Sequence, residues 1–321
     1  MFGVQHRDMP ANSHTAALTA EQAEKLRGVL ERDGFEFAEK PYTIFAAKKG
    51  KLNVSVYEKG PKVLVQGKET EDFVRFTLEP EILGEARLGY EEVHNPEMFE
   101  PHFGIDESGK GDYFGPLVIA GAYVDASISR ALLDAGIMDS KRISSAKRIR
   151  ALSETIRNTP GIATAVISIG PERYNELHTS FGNVNRLLAW GHARTIGRLL
   201  EQRPKCPRAL SDQFAQPQVL QRALKQLKLE IQLDQRTKAE SDVAVAAASI
   251  LARERFVDWM EKTSAAGGIT LPLGASDAVI DAGKQLVERH GPAILERTAK
   301  RHFRTTERIL EGFDPDGTES A

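Results

Sequence analysis

Two carboxylates stand side by side at Asp106 and Glu107, at the end of an apolar run and directly before a glycine-rich turn, in "GIDESGKGDYFGPLV". Asp212 closes a second strand-like run in "PRALSD", and Glu240 and Asp242 open the alanine-rich "AESDVAVAAASILARERF". Two unit charges about 4 Å apart repel by roughly 4 kcal/mol at an effective dielectric of about 20, so acids that share a site either take up protons or hold a cation. Hard oxygen donors favour Mg²⁺ or Mn²⁺. Taken singly, each acid has a plainer reading. Asp106 and Glu107 serve as turn and cap residues, Asp212 as a turn or N-cap aspartate, and Glu240 or Asp242 as compensation for a helix dipole.

Successive strand side chains point to opposite faces, so Asp106 and Glu107 share one site only if the strand ends there and turns. Gly109 and Gly111 supply that turn in this reading, and bare backbone also lets N–H groups approach an anionic ligand. The spacing matches neither a dinucleotide fingerprint nor a P-loop, because G-x-G-x-x-G and G-K-[ST] are both absent from the segment. Cys206 is the only cysteine, which excludes an internal disulfide and a multi-cysteine zinc site and fits a reducing compartment, the cytoplasm by default. No nucleophile–base pattern supports covalent catalysis.

The elements that must hold these acids follow from periodicity. The 321 residues favour two domains, and 45 acidic against 43 basic residues leave the chain near neutral, so electrostatic arguments are local. The N-terminal segment lacks the apolar core of a signal peptide, and the best apolar run, Ala244 to Ala252, is too short to span a bilayer. After a lead expected to be disordered over 1–14, Thr19 and Gln22 form a capping box before a helix that Gly34 ends. "YTIFAA", "LNVSVYE" and "KVLVQG" read as an antiparallel meander, and "ETEDFVRFTL" as a closing helix. Lys48, Lys49, Lys51, Lys59, Lys62 and Lys68 are opposed there by Glu58 alone. This module is set at 15–85, followed by an acidic linker at 86–101.

From residue 102 strands and helices alternate, which predicts an α/β domain over 102–312 and a tail at 313–321. Strands are expected near 103–106, 116–124, 162–169, 207–211 and 229–233. Helices are expected near 144–158, 183–202, 216–228, 240–262 and 276–289.

These motifs together resemble the type 2 ribonucleases H, most closely the ribonuclease HIII group. "GIDESGKGDYFGPLV" is similar to that family's opening metal motif, "MDSKRIS" to its Asp-Ser-Lys segment and "YNELHTSFGNVNRLLAWGHA" to its Asn-containing helix. "LSDQF", "TKAESDVAVAAASILAR", and "LPLGAS" with "KRHF" follow in family order over residues 102–306. The resemblance implies a ribonuclease H-like mixed sheet flanked by helices, preceded by a small α+β domain like the TATA-binding protein.

What the resemblance implies for function is a metal-dependent endonuclease that hydrolyses the RNA strand of RNA/DNA hybrids, leaving 5′-phosphate and 3′-hydroxyl ends. Its four acids fall on Asp106, Glu107, Asp212 and Glu240, the last preferred over Asp242, and they would hold two Mg²⁺ or Mn²⁺ ions. Ser108, Gly109, Lys110, Gly111, Ser140 and Lys141 would contact the hybrid, and the N-terminal lysines its phosphates. Lys110 stands where ribonuclease HII has arginine. His178, Asn183, Asn185, Trp190 and His192 lie in a family segment, with Trp190 and His192 read as core and satisfied polar groups. No obligate protein partner and no membrane is expected. Two alternatives stay open: ribonuclease HII-like excision of single ribonucleotides, disfavoured because the last tyrosine is Tyr174, and a non-catalytic hybrid-binding protein.

Overall fold

The computed structural model describes residues 13–83, 95–137, 145–237 and 239–311. The chain divides into two compact units, up to Glu97 and from Met98.

In the first unit, β1 (Ser13–Ala17), β2 (Glu36–Ala38), β3 (Thr43–Lys49), β4 (Leu52–Tyr57) and β5 (Lys62–Gln66) form an antiparallel sheet in the order β1-β5-β4-β3-β2. The helix α1 (Ala20–Arg32) starts at the expected capping box: the Thr19 hydroxyl accepts from the Gln22 N–H at 3.1 Å and the Gln22 side chain from the Thr19 N–H at 2.8 Å. A second helix, α2 (Thr70–Phe73), runs on as a π-helical stretch, Val74–Leu83. Leu26 and Leu30 of α1 and Val74, Leu78 and Ile82 cover one face of the sheet, where Val54, Val56, Val63 and Val65 are buried. Residues 1–12 of the expected lead lie outside the described residues, but Ser13 and His14 are not lead: they pair with Gln66 and Val65. Residues 84–94 of the linker region and 312–321 at the tail are likewise outside them.

The second unit is built on a five-stranded mixed sheet in the order β10-β9-β6-β7-β8. Its strands are β6 (His102–Ser108), β7 (Leu117–Val124), β8 (Ala163–Ile169), β9 (Arg208–Asp212) and β10 (Gln232–Arg236). The β6, β7 and β8 ladder is antiparallel, whereas β6, β9 and β10 run parallel. The helices are α3 (Ala126–Asp134), α4 (Ala146–Asn158), α5 (Pro171–Phe181), α6 (Val184–Gln202), α7 (Pro217–Gln226), α8 (Val243–Gly267), α9 (Asp277–His290), α10 (Ile294–Thr298) and α11 (Thr305–Leu310).

Strand alternation divides the core. Val118, Ala120 and Ala122 of β7 join the α3, α4 and α8 side, while Phe103, Ile105, Leu117 and Ile119 join the α5, α6 and α7 side. The alanines of α8 let it lie directly on the sheet. At Gly104 a Cβ would sit 2.2 Å from the backbone of Ala244 and Val245, so glycine there sets the distance between β6 and α8. β10 begins three residues later than the sequence pattern suggests, because its ladder with β9 extends to Arg236 opposite Asp212.

Candidate active site

β6 and β9 run parallel with Ile105 opposite Ser211, so the next residues, Asp106 and Asp212, come side by side where the ladder ends. Asp212 accepts a hydrogen bond from the Ala239 N–H at 3.2 Å, which ties it to the short 3₁₀ turn Ala239–Ser241 that carries Glu240. The strand ends thus bring Asp106 beside Asp212, with the turn that carries Glu240 next to Asp212.

One expectation is corrected. The strand does not end at the acidic pair: Asp106 and Glu107 still pair with Ala120 and Ile119, and β6 runs to Ser108. The two carboxylates consequently leave from opposite faces of the strand. Asp106 reaches Ser249 on α8, and one of its oxygens accepts the Glu107 N–H at 2.8 Å. Glu107 reaches α6, where its Oε2 lies 3.1 Å from Nε2 of His192.

Electrostatics separates the pair. Burial, then repulsion from Glu107 and Asp212, pushes Asp106 up to about 7 against the Ser249 hydrogen bond. Burial also pushes Glu107 upward, but the His192 hydrogen bond and charge, with Lys110, hold it below the usual range. Lys110 Nζ is 3.7 Å from Glu107 Oε1 and lies over the Phe214 ring at 5.7 Å.

A divalent cation suits these donors in kind: they are carboxylate oxygens, and the raised Asp106 marks negative charge that the protein alone leaves poorly compensated. Among the described residues no group of three or more His, Cys, Asp or Glu stands in a metal-holding arrangement. Each side chain is instead tethered to protein: Asp106 to Ser249, Glu107 to His192, and Asp212 to the Ala239 N–H.

Asp242 has a different position from Glu240. Its carboxylate accepts from the Ala244 and Val245 N–H groups at 2.9 and 3.3 Å as the N-cap of α8, and meets His102 Nε2 at 3.0 Å. It is 2% exposed.

The glycine-rich loop is moulded by the C-terminal segment. Lys300 is fully buried and donates to the carbonyls of Asp112 (2.8 Å), Phe114 (3.3 Å) and Gly115 (2.7 Å), using all three of its N–H bonds. The Tyr113 N–H donates to Gly274 O, the Gly274 N–H to Asp112 Oδ1, and the Gly115 N–H to Thr298 O. Gly109 has φ 87° and a Cβ there would lie 2.2 Å from Pro116 O, so only glycine fits; a Cβ on Gly111 would meet nothing within 4 Å. Ser108 ends β6, and Ser140 and Lys141 lie outside the described residues.

With this geometry in view, residues 103–306 match the Ribonuclease HII family, and residues 15–83 match a domain of unknown function. Ribonuclease HIII of Protochlamydia amoebophila is 45% identical over 288 residues, 90% of this chain and 93% of that protein. The chain belongs to the type 2 ribonucleases H, on the ribonuclease HIII branch. Ribonuclease HIII of Chlamydia abortus is 41% identical over 90% of this chain and 94% of its own length. Among solved structures, Bst-RNase HIII in complex with Mn²⁺ aligns with a TM-score of 0.65 at 29% identity, covering 93% of this chain and 98% of that one. Aquifex aeolicus RNase H3 aligns at 0.52 and 26%, covering 90% and 99%.

Two residues of this ribonuclease HIII acquire a significance that sequence reasoning did not give them. His192 is buried and satisfied as expected, but one of its partners is Glu107; the i, i+3, i+4 pattern of α6 signals a core position and carries no sign of that bond. Ser211, one residue before Asp212, meets the other ring nitrogen at 3.1 Å. In the first unit, Lys49 donates to Asp33 O at 2.7 Å. Lys40, outside the lysine run singled out above, meets Ser55 Oγ at 3.1 Å and lies 5.6 Å over the Tyr57 ring. No helix among the described residues is long and apolar enough to cross a membrane.

Proposed function

We propose that this ribonuclease HIII hydrolyses the RNA strand of RNA/DNA hybrids as a divalent-metal-dependent endonuclease, leaving 5′-phosphate and 3′-hydroxyl ends. The observation that carries the reading is the parallel β6–β9 ladder, which ends with Asp106 beside Asp212 and next to the turn bearing Glu240.

In this reading Asp106, Glu107, Asp212 and Glu240 would hold two divalent ions. When bound, Mg²⁺ or Mn²⁺ compensates charge at the scissile phosphate and acidifies the attacking water. The protein's own contribution is position. The loop from Gly109 to Gly115, pinned by Lys300, presents bare backbone at Gly111, where main-chain groups can approach a ribose 2′-hydroxyl and distinguish RNA from DNA. Lys110, with Ser108 beside it, faces the acids and meets phosphate. Ser140 and Lys141 belong to the same proposed contact set.

Residues 15–85 act as a substrate-binding module and 102–312 as the catalytic domain. Lys48 and Lys62 lie exposed on β3 and β5 and contact phosphates without reading bases. A reducing, cytoplasmic setting accords with the single buried cysteine, Cys206.

The test is a side-by-side assay with Mg²⁺ or Mn²⁺ on a hybrid with a long RNA tract and on a DNA duplex with one embedded ribonucleotide. Cutting within the long tract is expected. Efficient cutting of the single ribonucleotide alone would replace this reading with ribonuclease HII-like excision, and hybrid binding without cleavage would replace it with a non-catalytic role.

A further inference from the structure

A hydrogen-bonded chain runs inward from Glu107 through His192 to Ser211, the residue before Asp212. The Glu107 carboxylate only accepts, so His192 Nε2, 3.1 Å from its Oε2, carries the hydrogen of that bond. With Nε2 as the donor, the neutral ring's Nδ1 accepts from the Ser211 hydroxyl 3.1 Å away, in competition with the Asp212 carbonyl at 3.0 Å. The ring is thus held at both nitrogens.

The surroundings leave the ring little freedom. His192 is 0% exposed, Ser211 is 0% exposed, and Phe214 lies against the imidazole with ring centroids 4.7 Å apart. Glu107 thus has Oε2 in a 3.1 Å bond to a rigid ring, while Oε1 stands in a longer, 3.7 Å ion pair with a more mobile lysine, Lys110, on the side of the glycine loop.

We propose that His192 is a positioning residue for the metal site, set by Ser211: it holds Glu107 Oε2 so that Oε1 alone is presented to a cation. The proposal rests on the reading of Glu107 as a metal ligand and adds how this chain orients it. Outer partners of metal-ligating side chains commonly contribute about 10- to 100-fold to affinity through such orientation.

The geometry offers a test that packing alone would not pass. The amide nitrogen of glutamine can stand where Nε2 stands, whereas that of asparagine stands nearer Nδ1. Mn²⁺ binding to the full-length protein without hybrid, followed by electron paramagnetic resonance, is compared for wild type, His192→Gln, His192→Asn, His192→Ala and Ser211→Ala. Thermal melts of the metal-free proteins report folding.

The dissociation constant for Mn²⁺ is expected to rise about tenfold or more in His192→Ala and His192→Asn. It should stay within about threefold of wild type in His192→Gln and rise by a smaller factor in Ser211→Ala, where the ring keeps Glu107 but loses its anchor. Equal affinities across the folded variants, or equal losses in the glutamine and asparagine variants, would overturn the proposal. Should the His192 variants not fold, an unchanged affinity in Ser211→Ala would do so alone. A wild type that binds no Mn²⁺ would overturn the metal reading itself, which distinguishes that failure from this one.

Discussion

Asp242 and His102, 140 positions apart, meet in the interior at 3.0 Å. The other ring nitrogen of His102 donates to Glu100 O at 2.7 Å, so β6 and the start of α8 are fastened to each other by this bond. Asp242 is consumed in that role and in capping α8. That role agrees with the proposal that Glu240, two residues earlier on the 3₁₀ turn, is the fourth acid.

Asp242→Ala and Glu240→Gln should therefore fail in different ways. Breaking a buried pair costs about 3–5 kcal/mol, so Asp242→Ala is expected to lose that much stability in urea denaturation. Glu240→Gln should melt close to wild type and lose hybrid cleavage. A stable but inactive Asp242→Ala, with an active Glu240→Gln, would exchange their roles.

Asp106 sets a pH dependence. Its folded pKa of about 7 lies above the ordinary 3.8, so between these values the folded, metal-free state binds the extra proton and stability falls as pH rises. The penalty is complete above about pH 7 and amounts to roughly 4 kcal/mol as an upper bound. Asp106→Asn should then melt higher than wild type at pH 8 without metal, and the difference should vanish toward pH 4. Mn²⁺ affinity of the wild type should fall about tenfold per unit below pH 7 and level off above it. A flat affinity from pH 5.5 to 8 would contradict the assignment.

The two motif glycines separate fold from function. Gly109→Ala meets Pro116 O at 2.2 Å in a left-handed backbone and should cost about 1–3 kcal/mol or more. Gly111→Ala meets nothing and should melt like wild type while raising KM for the hybrid. An unchanged KM would remove Gly111 from the substrate surface.

Lys300→Met should loosen the loop. Three carbonyls lose their donor, and a net loss of stability is expected. Burial pulls Lys300 down to about 7 from 10.5, opposed by Asp112, so between these pH values the unfolded chain binds the extra proton. Wild-type stability thus rises with pH in that window, and its advantage over Lys300→Met should widen from pH 7 to 10 in urea titrations. A constant gap would count against the lowered pKa, because Lys300 would then keep its charge in the folded protein.

Much of this was legible from local signals. The Thr19–Gln22 box, the apolar run of β7 and the alanine-rich α8 each fixed an element, because each is decided by neighbours in sequence. β1 was not visible: "SHTAA" becomes a strand only by pairing with β5. α5 is not among the expected helices, although Pro171 at its first turn and Gly182 at φ 74° bracket it. The acids were found by type and motif, but the partners that orient them were not. His192 acts across 85 positions, Lys300 across up to 188 and Ser211 across 19, through contacts that no spacing encodes.

The most direct measurement of the central claim is cleavage of an RNA/DNA hybrid with Mg²⁺ or Mn²⁺ by wild type, Asp106→Asn and Asp212→Asn, each checked by melting temperature. Cleavage by the wild type that chelator abolishes, and its loss in both folded variants, is the predicted result. Equal cleavage by all three, or none by a folded, metal-supplied wild type, would contradict the claim that these two neighbouring carboxylates drive hydrolysis.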